Sequence, residues 1–154
     1  RGQARGRARP PVRVEPAARK AQGREVSGIG LNHALAVAVG AGLGALLRWG
    51  VGMAFNALWT GFPLGTLLVN CTGGLAIGVA MVWFQRSPDE IARLFLVTGL
   101  LGGFTTFSSF SAESLGLIQR GDWGLALVHS ADHLLGALAC TAMGYLLARA
   151  VLRV

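Results

Sequence analysis

Apolar residues run in four long blocks along this chain, about Leu31 to Phe55, Phe62 to Phe84, Ile91 to Ile118 and Trp123 to Ala150. Each is at or above the roughly 20 residues needed to cross a hydrocarbon core, so the pattern predicts four transmembrane helices. The connections Arg86-Ser-Pro-Asp-Glu90 and Gln119-Arg-Gly-Asp122 are short. Neighbouring helices are therefore antiparallel, and no extramembrane domain is left for enzymatic chemistry. Trp49, Trp59, Trp83, Phe84 and Trp123 fall near the predicted ends, where amphipathic rings prefer the headgroup level. Gly40 with Gly44, and Gly74 with Gly78, form small-xxx-small faces that let backbones approach closely in lipid.

One stretch breaks the apolar pattern. Gly99-Leu-Leu-Gly-Gly-Phe-Thr-Thr-Phe-Ser-Ser-Phe-Ser-Ala-Glu113 puts a glycine pair and a run of hydroxyl residues in the middle of the third span. Lipid offers no water to satisfy a loosened backbone, which is tolerated only where it faces protein or a water-filled path. Broken helices of this kind line ion and substrate sites. In the second span Asn70 shares a face with Thr66 one turn before it and with Gly73 and Gly74 one turn after. Its amide has two readings: an interhelical hydrogen bond, or a carboxamide whose NH2 donates to an anion in transit. Phe107 and Phe110 face one side among Thr106, Ser108 and Ser109. Such a pair is a core contact, or a pair of rings whose positive edges attract an anion.

Arg48 lies ~25 Å along the first helix at about 1.5 Å per residue. It either snorkels to the far interface or forms a vestibule charge that attracts anions. Glu113, as an acid, would repel an anion beside it, so it is expected to hydrogen-bond locally near a span end. Near the start of the fourth span His129, Asp132 and His133 stand at i, i+3 and i+4. This face is a metal site, a local pairing of Asp132 with a histidine, or part of a polar track. Cys71 and Cys140 fall inside spans without metal-type spacing and read as small packing residues.

Composition agrees with a membrane setting: 53% of residues are hydrophobic and 14% charged, against roughly 25% charged in ordinary soluble domains. The first 28 residues are a different material. They hold eight of the 14 Lys and Arg (Arg1, Arg5, Arg7, Arg9, Arg13, Arg19, Lys20 and Arg24) and the acids Glu15 and Glu25, so they carry +6 of the +7 net charge. Two domains follow: a basic, disordered tail at 1–28, too poor in apolar surface to fold, and a four-helix transmembrane domain at 29–154. The tail lacks aromatic interleaving and precedes a membrane domain, so it reads as an orientation signal or lipid tether rather than a nucleic-acid site. It has no short apolar core followed by a small-residue cleavage site, as a signal peptide would.

Three motifs resemble the Fluc, or CrcB, fluoride channels. They are Gly40-Ala-Gly-Leu-Gly44-Ala45-Leu-Leu-Arg48-Trp49, Gly65-Thr66-Leu-Leu-Val-Asn70-Cys-Thr-Gly73, and Gly102-Gly103-Phe104-Thr105-Thr106-Phe107-Ser108-Ser109-Phe110-Ser-Ala-Glu113. The third departs from the common form by Ser109 where Thr is usual. The resemblance implies an all-α membrane protein, four helices with a break in the third, assembled as an antiparallel dual-topology dimer in the cell inner membrane. It implies a passive channel that exports fluoride and relieves its toxicity, with Asn70 as the pore amide, Phe107 and Phe110 as paired pore rings, and Thr66, Thr106 and Ser109 along the same path. A structural sodium ion, Na+, would be held by the backbone carbonyls of Gly102 and Thr105 from both subunits. A branched residue at Gly102 is then expected to disturb the turn, whereas Thr105→Val leaves its carbonyl in place.

Two other readings are a proton-coupled small multidrug exporter and a non-conducting partner subunit of a heterodimeric channel. The exporter wants a carboxylate in the first span, which has none. Retention of Asn70, Phe107 and Phe110 in one chain argues against a dead subunit.

Overall fold

The computed structural model describes residues 30–56, 58 and 62–153. The basic tail 1–28 and Trp59 lie outside the described residues. Among the described residues every regular element is helical, and four segments are long and apolar enough to cross a membrane: Leu31–Phe55, Leu64–Arg86, Glu90–Gln119 and Trp123–Leu152. The first is α1 and the second α2. The third is bent, with α3 over residues 90–104 and α4 over Phe107–Gln119. The fourth is α5.

Helix ends follow from capping chemistry. Asp89 starts α3 by accepting the Ala92 N–H at 2.9 Å, which satisfies one of the donors a first helical turn leaves open. Asn56, in the turn after α1, serves α2 by accepting the Gly65 N–H at 2.7 Å. The α4–α5 corner is a Schellman turn: Gly121 N–H donates to Ile118 O at 2.9 Å and Asp122 N–H to Leu117 O at 3.0 Å. Gly121 takes φ +84° there, a left-handed conformation open to glycine at little cost.

Two glycine seams set the packing. Along the first, α1 meets α3 so closely that a Cβ on Gly40 would lie 2.9 Å from Leu100 N, and one on Gly44 2.7 Å from Phe104 N. Gly99 and Gly103 answer from the α3 side against Val37 and Ala41. Along the second, α2 meets α5, and a Cβ on Gly74 would lie 2.8 Å from Ala137 O and one on Gly78 2.7 Å from Tyr145 N. Both small-residue faces expected from the sequence are therefore helix contacts. Cys71 and Cys140 are free and half-buried, and a Cβ on Gly136 of α5 would meet Cys71 Sγ at 3.3 Å.

Large apolar side chains point outward along the spans, Leu46, Leu138, Leu146 and Val151 among them, as a lipid solvent allows. Trp49, Trp83 and Trp123 are also exposed, in keeping with interface positions. Of the side chains with the least exposure, three are apolar (Leu117, Val69, Val82) and the fourth is His129. A fully buried histidine inside a membrane span marks the place to look for function.

Candidate functional site: a broken helix and its polar bracket

The break falls on Thr105 and Thr106, which are extended at φ −74°, ψ 157° and φ −152°, ψ 117°. Chain on either side is helical. In an unbroken helix the Thr106 N–H would bond to the carbonyl four residues back, that of Gly102. Here it donates instead to Asn70 Oδ1 at 2.8 Å, and Asn70 Nδ2 donates to Thr106 O at 3.0 Å. One side chain of α2 thus satisfies both backbone groups of the extended residue. Asn70 realises the interhelical reading of its amide.

The break has two electrostatically distinct ends. Thr106 caps α4: its Oγ1 accepts the Ser109 N–H at 3.1 Å, donates to Ser109 Oγ at 3.1 Å, and contacts Ser108 Oγ at 3.2 Å. The positive end of the α4 dipole therefore opens beside Asn70. On the other side α3 ends in carbonyls, and Arg48 Nη1 donates to Thr105 O at 3.3 Å. Thr105 also closes its own turn, its N–H and Oγ1 both donating to Leu101 O at 2.9 Å. Its methyl group packs over Gly73 of α2.

Two cavities meet at this break. One, of about 490 Å³, is lined by Arg48, Thr66, Thr106, Ser109 and Glu113, among others. The other, of about 630 Å³, is lined by Asn70, Thr105, Thr106, Phe107, Phe110 and His133, among others. Thr106 borders both. Arg48 therefore stands at a cavity wall beside the break. Phe107 and Phe110 lie with ring centroids 5.2 Å apart and planes tilted by 60°. Phe107 is 79% exposed while Phe110 is half-buried.

Two sequence expectations change. Glu113 does not hydrogen-bond locally: its Oε1 accepts from Thr66 Oγ1 of α2 at 2.6 Å, because the break turns this face of α4 toward α2. The steric demand for glycine falls on Gly103 rather than Gly102. Gly102 has ordinary helical angles, φ −65° and ψ −36°, and an added Cβ would find its nearest neighbour at 3.6 Å, whereas one on Gly103 would lie 2.9 Å from Ala41 Cα.

The fourth span contributes what spacing alone could not assign. A π turn over Asp132–Gly136 interrupts α5, and the His129 and His133 rings lie with centroids 4.4 Å apart and planes tilted by 49°. Phe110 stacks on both, at 5.5 Å and 4.9 Å, and Phe62 meets His129 edge-on at 5.2 Å. His133 Nδ1 lies 3.1 Å from Asn70 Nδ2, and His129 Nδ1 lies 3.0 Å from Ser114 Oγ. Asp132 is exposed; the carboxylate that joins the two histidines is Glu113.

Four membrane-capable helices with a polar break walled by two cavities define a multi-pass membrane protein built around an intramembrane polar site. Residues 35–145 match the family described as CrcB-like protein, Camphor Resistance (CrcB), and the chain belongs to that family. It is 47% identical over 113 residues to a protein of Aromatoleum aromaticum, covering 72% of this chain and 86% of that one. A Marinobacter nauticus protein is 49% identical over 114 residues, with 73% and 90% covered, and one of Burkholderia orbicola is 50% identical over 123 residues, with 78% and 95% covered. All three are named Fluoride-specific ion channel FluC. The relatives are ion channels, not enzymes.

Proposed function

We propose that this chain is a fluoride-specific channel that lets the ion leave the cell down its gradient across the inner membrane. The observation that carries the reading is the bracket of Asn70 on the extended Thr106 backbone, at a helix N-terminus that favours an anion. Family membership and the relatives' name support the choice of ion. Fluoride is small and strongly hydrated, so a path through lipid must replace its water with donors. Asn70 Nδ2, the Thr66, Thr106 and Ser109 hydroxyls, and the positive edges of Phe107 and Phe110 are that set. Both amide hydrogens of Asn70 are engaged at rest, so fluoride takes the place of His133 Nδ1 as acceptor of one of them.

The reading includes an antiparallel dimer with a structural sodium ion. Phe107 is exposed on a single chain although it stands among pore hydroxyls, and a second chain would cover it. Sodium fits the carbonyl end of the break: hard oxygen donors suit it, and the Gly102 carbonyl is released from its usual helical bond by the diversion of the Thr106 N–H. Gly102 and Thr105 would hold the ion through their carbonyls, with Thr105 sharing its oxygen with Arg48.

Purified protein in liposomes is expected to release fluoride but not chloride, with no proton gradient. Strictly proton-coupled transport of an organic cation, with no fluoride flux, overturns the reading. Dual topology has its own test. Six Lys and Arg (Arg48, Arg86, Arg93, Arg120, Arg149 and Arg153) are spread through the membrane part, whereas eight precede it. A chain trimmed to begin near Gly28 is expected to insert both ways, and the longer chain to favour an inside N-terminus. Cysteine labelling at both ends on intact and permeabilised cells decides this. A trimmed chain found in one orientation only excludes the antiparallel homodimer and calls for an unlike partner.

A further inference from the structure

The described residues contain a cluster of buried polar atoms that the bracket does not use. His129 Nε2, His133 Nε2 and Glu113 Oε2 are each buried with no hydrogen-bond partner. They belong to one group of side chains whose ligand atoms all lie within 4.8 Å of one another. His129 and His133 are 0% and 4% exposed, and His129 Nε2 stands 3.5 Å from Glu113 Oε2. Buried polar atoms without a hydrogen bond cost free energy, and three side chains from two helices that each bring a ligand atom to within 4.8 Å of the others make a place for something that binds all three. We propose that Glu113, His129 and His133 form a site for a borderline divalent transition cation of the zinc type, separate from the sodium site.

The donor set supports this class. Two imidazole nitrogens and one carboxylate oxygen suit zinc and its neighbours, with a fourth position open to water. Calcium or magnesium would want oxygen throughout. Ser114 Oγ against His129 Nδ1 supplies the outer contact that fixes a ligating ring, since a metal-bound histidine donates its other N–H to such a partner.

His133 has the opposite arrangement, and this gives the site a consequence. Thr106 donates its N–H to Asn70 Oδ1 and accepts from Nδ2, so both ends of the amide are fixed. The nitrogen facing His133 Nδ1 is therefore the NH2 group, a donor only. Without metal, His133 Nδ1 accepts and its proton resides on Nε2. A cation needs Nε2 bare. On capture the proton leaves Nε2 and returns on Nδ1, so the ring stays neutral and no proton is gained or lost overall. The new Nδ1–H then opposes the Asn70 NH2 that is held on Thr106, so metal and bracket work against each other. Metal occupancy weakens the bracket and the bracket weakens metal binding; resting on the reading of the bracket as part of the ion path, a bound cation opposes conduction.

Cobalt(II) replaces zinc in such sites and reports its ligands by visible absorption, independently of fluoride. Untagged full-length protein is expected to show saturable cobalt bands, one ion per chain, displaced by zinc. His129→Gln, His133→Gln and Glu113→Gln should each weaken binding roughly tenfold or more, while Asp132→Asn leaves it unchanged. Asn70→Asp is the sharper variant, because a carboxylate accepts from the Nδ1–H of a ligating histidine. It should tighten cobalt binding by roughly 10- to 100-fold, the scale of such outer-shell partners. Mere packing of the cluster would not produce that gain. No saturable cobalt binding in the parent overturns the site. So does binding that survives both histidine variants in protein that still elutes as a single species. Cobalt affinity unchanged or weakened in Asn70→Asp overturns the opposition between metal and bracket.

Discussion

The glycine seams and the polar bracket hold helices together by opposite means. Where Gly40 and Gly44 of α1 meet α3, and Gly74 and Gly78 of α2 meet α5, the contact is made by bare backbone. Backbones approach because Cβ atoms are missing, and at these glycines the contact is van der Waals. In the bracket between α2, α4 and α5, side-chain atoms carry the contact, and each bond fixes the donor or acceptor role of the next. The seams tolerate no added volume, whereas the bracket is sensitive to which atom holds a proton. A membrane channel needs both: a rigid frame, and beside it a site whose polar groups can exchange partners with an ion.

Loss of a seam should produce the largest effect. A valine at Gly78 or Gly103 would press its Cβ to within 2.7 Å of Tyr145 N or 2.9 Å of Ala41 Cα, against backbone that cannot rotate away. Overpacking of this kind costs about 1–3 kcal/mol and occasionally more, and contacts this close to backbone fall at the upper end. Gly78→Val and Gly103→Val are expected to yield little monodisperse protein on size exclusion in detergent. Normal yield and elution would mean that the seams are looser than the bracket.

Asn70→Asp comes next and breaks the bracket alone. It removes the donor to Thr106 O and places a carboxylate beside the α4 N-terminus, where the proposed cargo is an anion. Fluoride efflux from liposomes should fall roughly 10- to 100-fold, the cost of about 1–3 kcal/mol for an unsatisfied buried group. The elution profile should stay that of the parent. Efflux at parental rate would reduce Asn70 to a packing residue.

Phe110→Ile keeps volume but loses the ring that stacks on both histidines. An aromatic contact is worth about 0.5–1.5 kcal/mol beyond its area, so efflux should drop by roughly 3- to 10-fold. A rate equal to the parent's would exclude the ring edge from the path.

The smallest effects sharpen the comparison inside the break itself. Thr105→Val loses only the hydroxyl bond to Leu101 O at 2.9 Å, about 1 kcal/mol, and should leave efflux and sodium dependence nearly as they were. Gly102→Ala adds a methyl to helical backbone with its nearest neighbour 3.6 Å away, and by helix propensity should be neutral or stabilising by up to about 1 kcal/mol. A thermal melt of both variants in sodium checks this. A large loss at Gly102 but not at Thr105 would return the steric role to Gly102.

The four spans, both glycine faces and the place of the break were legible because lipid acts on the chain locally. Span length, apolar content and the need to satisfy every backbone group are conditions met within one helix or one turn. Gly40 with Gly44 and Gly74 with Gly78 could be read as contacts from spacing alone. Asn70 could be read as a polar residue needing a partner, but not which partner.

What only the tertiary structure decided is the pairing of atoms across helices. Asn70 meets Thr106 and His133 from 36 and 63 positions away, and Thr66 meets Glu113 from 47. Those meetings depend on how far each helix is rotated and how deep it sits, which the break in the third span and the π turn in the fourth both change. The sequence placed His129, Asp132 and His133 on one helical face by counting residues. The folded chain leaves Asp132 exposed and brings Glu113 to the histidines instead. Periodicity describes a single regular helix, and the site lies where two helices cease to be regular.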